Sequence, residues 1–255
     1  MLRQLKTRYR RWRATQHPIL DRHWSAALRA TPHARSLPAD QHARLRELAT
    51  LFLLDKSFTA AHALTLTDAM RVQIALKACL PILQLGLDSY AEFHGIVLYP
   101  GDFRVHEQHM DEAGVVHDQV RDLCGQSLTR GPMVLSWDTL ANEHAGDGQD
   151  LVIHECAHKL DVLNGDADGF PALHPDMSAS AWTRVFRRAY DEFCREVDAG
   201  HATRLDPYAS ADAAEFFAVT SETFFTRPDI VYQDFPEVYP QLAAFYRQDP
   251  YSRLP

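Results

Sequence analysis

At 255 residues the chain can bury a substantial core, as one large domain or two small ones. Its hydrophobic fraction of 46% and charged fraction of 24% are those of an ordinary globular protein, and a formal net charge of −8 argues against nucleic-acid binding through overall charge. The four cysteines (Cys79, Cys124, Cys156, Cys194) are scattered with no CxxC pair, so they read as free thiols of a reducing compartment and a cytoplasmic protein is expected.

The first 17 residues form a basic arm, with Arg3, Lys6, Arg8, Arg10, Arg11 and Arg13. It resembles the n-region of a signal peptide, but the stretch from Ala14 to Pro18 is polar and broken by proline where an apolar segment would follow. The arm has the charge to touch anionic lipid or nucleic acid; the expectation is a frayed, solvated terminus. No run of about 18 apolar residues occurs, so no membrane span and no membrane partner are expected.

From Pro18 to about Leu87 the pattern is helical. Leu45, Leu48, Leu51, Phe52 and Leu54 recur at helical spacing after Pro38-Ala39-Asp40. Thr67 offers an N-cap for a second helix through Val72, Ile74 and Leu76, which Pro81 interrupts. Lys56, Asp68 and Arg71 read as surface or capping groups. Region 18–90 is expected to pack on a catalytic region, 91–255, as one compact unit.

From Gly95 the texture becomes strand-like. Ile96 to Tyr99, Phe103 to His106 and Met133 to Trp137 are short β-type runs, with Asp138 suited to begin a helix or turn. Between them, Glu107 to Arg130 reads as a polar loop. Its His106, His109 and His117, with Asp111, Asp118 and Cys124 nearby, are too irregularly spaced for a strong metal signal. Further on, Asp147-Gly148 offers a helix start and Asn164-Gly165 a stop. Asn164 to Gly169 looks briefly like a calcium loop, but it begins with Asn and has Pro175 at the twelfth place, so it reads as a turn. A long amphipathic helix from Ala179 to Ala199 carries core aromatics. Another helix, from Ala213 to Thr226, is capped by Asp212, and a last one runs from Val238 to Arg247. The whole is a mainly helical α+β fold with a small sheet.

The chemistry lies between Leu151 and Asp161. His154 and His158 are four residues apart on one helix face, where both imidazoles reach one metal ion, and Glu155 can approach a metal-bound water without ligating the metal. Leu151, Val152, Ile153, Ala157 and Leu160 make the helix apolar around these polar groups, which would be costly unless paired or ligated. A catalytic zinc wants a third protein ligand and an open position. The HExxHxxGxxH spacing is absent, which excludes that class. Asp161, one turn on, suits capping or support of a ligand better than ligation. In the downstream helix, Glu215 and Glu222 share an inner face among phenylalanines, and one is expected on the metal with the other holding a ligand histidine's second ring N–H. Pattern alone does not separate them.

Several motifs in order resemble the Mlc titration factor A family of bacterial zinc metallopeptidases, related in its active-site helices to the anthrax lethal factor catalytic domain. They are Leu80 to Leu87, Gly125-Gln126-Ser127 with Gly131 to Trp137, His154 to Asp161 with Asn164-Gly165-Asp166, Asp206 to Ala209, and Ala214 to Val219 with Ser221-Glu222. The resemblance implies a zincin-like fold of gluzincin type, with Zn²⁺ on His154, His158 and Glu215. It makes Glu155 the catalytic glutamate and Tyr208 a catalytic tyrosine, with Glu222 outside the ligand set. The implied function is peptide hydrolysis, aminopeptidase-like, by Glu-assisted attack of a zinc-bound water. The alternative is a regulatory protein that sequesters a transcriptional repressor of the Mlc type. A peptide or protein is the expected substrate, and no direct nucleic-acid contact is expected.

Overall fold

Prolines at 18, 32 and 38 divide the N-terminal region into separate helices, since proline suits a helix's first turn and not its interior. In the computed structural model these helices are α1 (Leu2–Gln16), α2 (Asp21–Ala30), α3 (Pro32–Arg35) and α4 (Ala39–Asp55). The structure describes residues 2–101, 103–110, 116–123, 125–127, 131–143 and 148–254, with side chains outside 2–7, 103–110, 116–123 and 125–127. The arm expected to fray is helical. It lies on α4, with Arg10 paired to Asp88 and Arg13 donating to the Leu54 carbonyl at 3.5 Å.

The spaced leucines of α4 are buried with Phe52, as expected. Helix α5 (Asp68–Cys79) opens on Thr67, whose hydroxyl accepts from the Met70 N–H at 3.3 Å. Between α4 and α5 the helical expectation fails. Ser57–Ala60 form a strand, β1, where Phe58 and Thr59 favour the extended backbone. Lys56, expected at the surface, is buried and donates to the carbonyls of Tyr90 (2.6 Å) and Phe93 (2.7 Å). An ammonium can be buried there because carbonyl oxygens replace its water.

The remaining strands are β2 (Gly95–Tyr99), β3 (Phe103–Met110), β4 (Val116–Leu123), β5 (Gly125–Ser127) and β6 (Met133–Ser136). The main sheet has the order β1-β2-β6-β5, parallel except for β5 at one edge. Strands β3 and β4 form a separate antiparallel ribbon, with His109 opposite His117. Much of the segment expected to be a loop is therefore β. A ribbon outside the main sheet needs no apolar alternation, so its polar composition hid it. Asp111 and Cys124 lie outside the described residues, as do the side chains of His106, His109, His117 and Asp118.

Helix α6 (Trp137–Asn142) starts on Ser136 rather than Asp138, the serine hydroxyl accepting from Thr139 N–H at 3.3 Å. Then come α7 (Leu151–Asp161), α8 (Ala179–Asp198), α9 (Ala213–Thr226), α10 (Pro228–Asp234) and α11 (Val238–Tyr246). Pro228, directly after the end of α9, occupies the first turn of α10. The α8 aromatics are core. Trp182 stacks on Phe186 with ring centres 4.2 Å apart and meets Phe217 and Phe245 edge-on.

Gly169 fixes the start of α9. Its φ is +76°, and a Cβ there would stand 2.4 Å from the Ala213 carbonyl oxygen. Its N–H donates to Asp161 and its carbonyl accepts from the Trp182 indole at 3.0 Å, so one residue links the end of α7, α8 and α9. Gly169→Ala is expected to lower the unfolding free energy by about 2–3 kcal/mol, measured by urea denaturation, because strain and clash act together. An unchanged midpoint would contradict this packing.

Candidate metal centre

Asp150 caps α7, its Oδ1 accepting from Ile153 N–H at 3.2 Å. The start expected at Asp147-Gly148 is displaced by two residues, and the stop at Asn164-Gly165 stands, with Gly165 at φ +151° after a short turn from Val162 to Asn164. Asp212 likewise caps α9, its Oδ1 accepting from the N–H of Glu215 at 2.8 Å. That cap sets Glu215 in the first turn of α9, facing α7.

The two caps bring three donors together. The Nε2 atoms of His154 and His158 are 3.2 Å apart, and Glu215 Oε2 lies 3.1 Å from the first and 3.4 Å from the second. A tetrahedral ion about 2.0–2.1 Å from each donor would hold donors about 3.4 Å apart, so the triangle has the size a first-row metal requires. The tautomer agrees. His154 Nδ1 is 3.3 Å from Glu222 Oε2; donating there leaves the Nε2 lone pair aimed into the triangle. These residues fit a metal ion. Among the described residues they are the group of His, Cys, Asp and Glu side chains close enough to hold one.

Electrostatics support the pairing. Burial alone would raise the Glu215 carboxyl, but contact with the two histidines holds it well below the usual carboxylate range. Burial would lower His154, and the carboxylates of Glu215 and Glu222 reverse this and raise it well above the ordinary imidazole. Glu155 is 2% exposed, its Oε2 has no hydrogen-bond partner, and burial raises its pKa against the pull of both histidines. Tyr208 follows Asp206, whose Oδ1 accepts its N–H at 2.9 Å. The Tyr208 ring is half exposed, centred 6.4 Å from the His154 ring, and its hydroxyl is pushed up to about 12 by partial burial and by Glu215.

Glu222 and Glu215 are thus separated by geometry where pattern could not separate them. Glu222 Oε1 accepts the N–H of Asp150 while Oε2 faces His154, so it spans α7 and α9. Asp161 is buried, raised to about 6 chiefly by burial, and its hydrogen bond goes to Gly169 at 2.8 Å.

Sequence reasoning missed the support beneath α7. Lys77 pairs with Glu143 and stands 3.0 Å from Asp150 Oδ2; Glu143 Oε1 accepts from Leu151 N–H at 2.7 Å. His33 lies 3.5 Å from the same Asp150 oxygen and is held neutral by burial, its pKa lowered to about 4. The partners are 66 residues or more from Lys77, so spacing could not reveal them. Asp150, directly before an apolar run, was the one readable signal.

A family model described as glucose-regulated metallopeptidase M90 matches residues 5–247. The chain belongs to this family. Its relatives include proteins called Mlc titration factor A. That of Pectobacterium atrosepticum is 40% identical over 235 residues, covering 91% of this chain and 88% of the relative. That of Salmonella arizonae is 39% identical over 234 residues, covering 91% and 92%, and that of an Enterobacter species 38% over 234 residues, covering 91% and 88%. Membership in M90 and the His154–His158–Glu215 cluster agree, and the chain is a metallopeptidase.

His154→Ala or Glu215→Ala is expected to abolish stoichiometric metal binding, read by elemental analysis after gel filtration. Glu222→Gln should keep the fold but weaken metal affinity by about 10–100-fold in a chelator competition, as loss of a ligand's carboxylate partner does. Unchanged affinity in Glu222→Gln would mean that its contact with His154 does not tune the site.

Proposed function

We propose that the protein is a zinc peptidase in which Glu155 moves the proton and Tyr208 steadies the oxyanion. The observation that carries this reading is the convergence of two imidazoles and one carboxylate beside a buried glutamate whose Oε2 has no hydrogen-bond partner. Mixed nitrogen and oxygen donors without thiolate, and a set of three that leaves a position open, suit catalytic zinc rather than a structural ion. When bound by His154, His158 and Glu215, zinc supplies a Lewis acid that polarises a carbonyl and acidifies water.

The chain's own groups do the rest. Glu155, in a dry setting that raises its pKa, takes a proton from the attacking water and returns it to the leaving amine. Tyr208, protonated at neutral pH, donates a hydrogen bond to the developing oxyanion. Strand β6 is flanked on both sides, by β2 and β5, so the edge on that side of the sheet is β5, along which an extended peptide would lie. Short peptides cleaved from the amino end are the substrate class that the family resemblance suggests. The thiols of Cys79, Cys156 and Cys194 are free, which supports a cytoplasmic setting.

A second reading rests on the relatives' name, Mlc titration factor A. This chain would bind a repressor of the Mlc type and regulate by sequestration, with hydrolysis secondary.

Glu155→Gln is expected to keep bound zinc while lowering kcat on a fluorogenic aminoacyl or peptide substrate by about 10²–10⁴-fold. Full activity in this variant would sink the mechanism. Retained repressor binding alongside lost cleavage would show the two functions to be separable. Tyr208→Phe should lower kcat by about 10²–10³-fold with KM little changed; a change in KM alone would make Tyr208 a substrate-binding group instead.

A further inference from the structure

Helix α1 presents a face that neither the fold nor the metal centre uses. Its inner side is tied down by Arg10 to Asp88, Arg13 to the Leu54 carbonyl, and Ala14 against the core. On the opposite side, Tyr9 and Trp12 are each 58% exposed, with ring centres 5.9 Å apart. An exposed pair of large aromatics on a helix is unusual unless something covers it. Positions 9 and 12 are three apart, so Tyr9 and Trp12 share one face of the helix. Arg8 borders the pair on one side and Arg13 on the other, its guanidinium 6.0 Å from the centre of the Tyr9 ring. No acidic residue precedes Asp21, so all 34 lie outside the arm and the charge of the chain is strongly divided.

We propose that α1 binds reversibly to an anionic phospholipid surface, lying in the headgroup plane with Tyr9 and Trp12 at the boundary of the acyl chains. A pair of exposed aromatic rings flanked by arginines is what such a surface selects: the rings enter the interface and the guanidiniums meet lipid phosphates. Nucleic acid could stack on the same rings, but the chain's net charge of −8 disfavours a long polyanion. A helix lying flat also lets the acidic body stand away from the surface, whereas a long polyanion would sweep across it. The packing of α1 on α4 would bring the whole peptidase to the membrane without inserting any of it.

The test is flotation of the full-length, metal-loaded protein with vesicles of phosphatidylcholine containing 30% phosphatidylglycerol, with pure phosphatidylcholine and poly(U) as comparisons. The expected result is binding to the phosphatidylglycerol vesicles at low salt, release at about 0.5 M salt, and little binding to phosphatidylcholine. Tyr9→Ser with Trp12→Ser should weaken vesicle binding about tenfold or more, and Arg8→Gln about fivefold, with metal content and circular dichroism unchanged. The proposal is overturned by absence of binding to the anionic vesicles, by equal binding to phosphatidylcholine, or by full binding of the double variant. Binding to poly(U) without binding to vesicles would assign the helix to single-stranded nucleic acid instead.

Discussion

The Glu222 carboxylate joins the two helices that make this candidate site, and the spacing of its three candidate metal donors depends on it. One oxygen accepts the N–H of Asp150, where α7 begins, and the other faces the Nδ1 of His154 one turn later. A donor at the α7 N-terminus and an imidazole on its inner face are thereby fixed relative to α9. Because α9 also carries Glu215, the same residue sets the distance between the histidines and the Glu215 carboxylate. A carboxylate is suited to this task because its two oxygens can serve two donors at once, and the positive end of the α7 dipole favours the charge.

That arrangement concentrates negative charge at the α7 N-terminus, where Asp150, Glu143 and Glu222 all meet backbone N–H groups. Lys77, 2% exposed, supplies the compensating cation from α5. Buried charges of this kind are tolerable only as a satisfied set, and removing one member typically costs about 3–5 kcal/mol. The N-terminal helical region therefore supports the candidate site: it provides Lys77 and His33, which meet Asp150 at the start of α7. At the other end of α7, Asp161 and Gly169 hold the turn that delivers the chain towards α8 and α9.

The local chemistry was readable in the sequence wherever a function is carried by a fixed short spacing. His154, Glu155 and His158 declare themselves because a helix face imposes the interval between them. Asp212 to Thr226 was readable from its cap and its apolar run. What joins them was not. Glu215 and Glu222 look equivalent along the chain and differ only in which atoms of α7 they meet. Lys77 and His33 lie far from α7 in sequence, and Glu143, eight residues before Leu151, carries no motif. In the sheet, β1 was hidden between two helices and the β3–β4 ribbon by its polar composition, while the strand order was hidden because it depends on pairing between distant segments. Resemblance to a known family selected Glu215 and Tyr208; the structure supplies a physical reason for the first, in the convergence of three donors, and places the second beside His154.

X-ray absorption at the zinc edge tests the central claim most directly, because it reports the atoms around the metal in the intact protein. The account predicts about one zinc per chain, with two imidazole nitrogens and carboxylate or water oxygens at about 2.0–2.2 Å and no sulfur neighbour. A sulfur scatterer at about 2.3 Å, or a first shell lacking the imidazole signature, would place the metal away from His154, His158 and Glu215 and contradict the account.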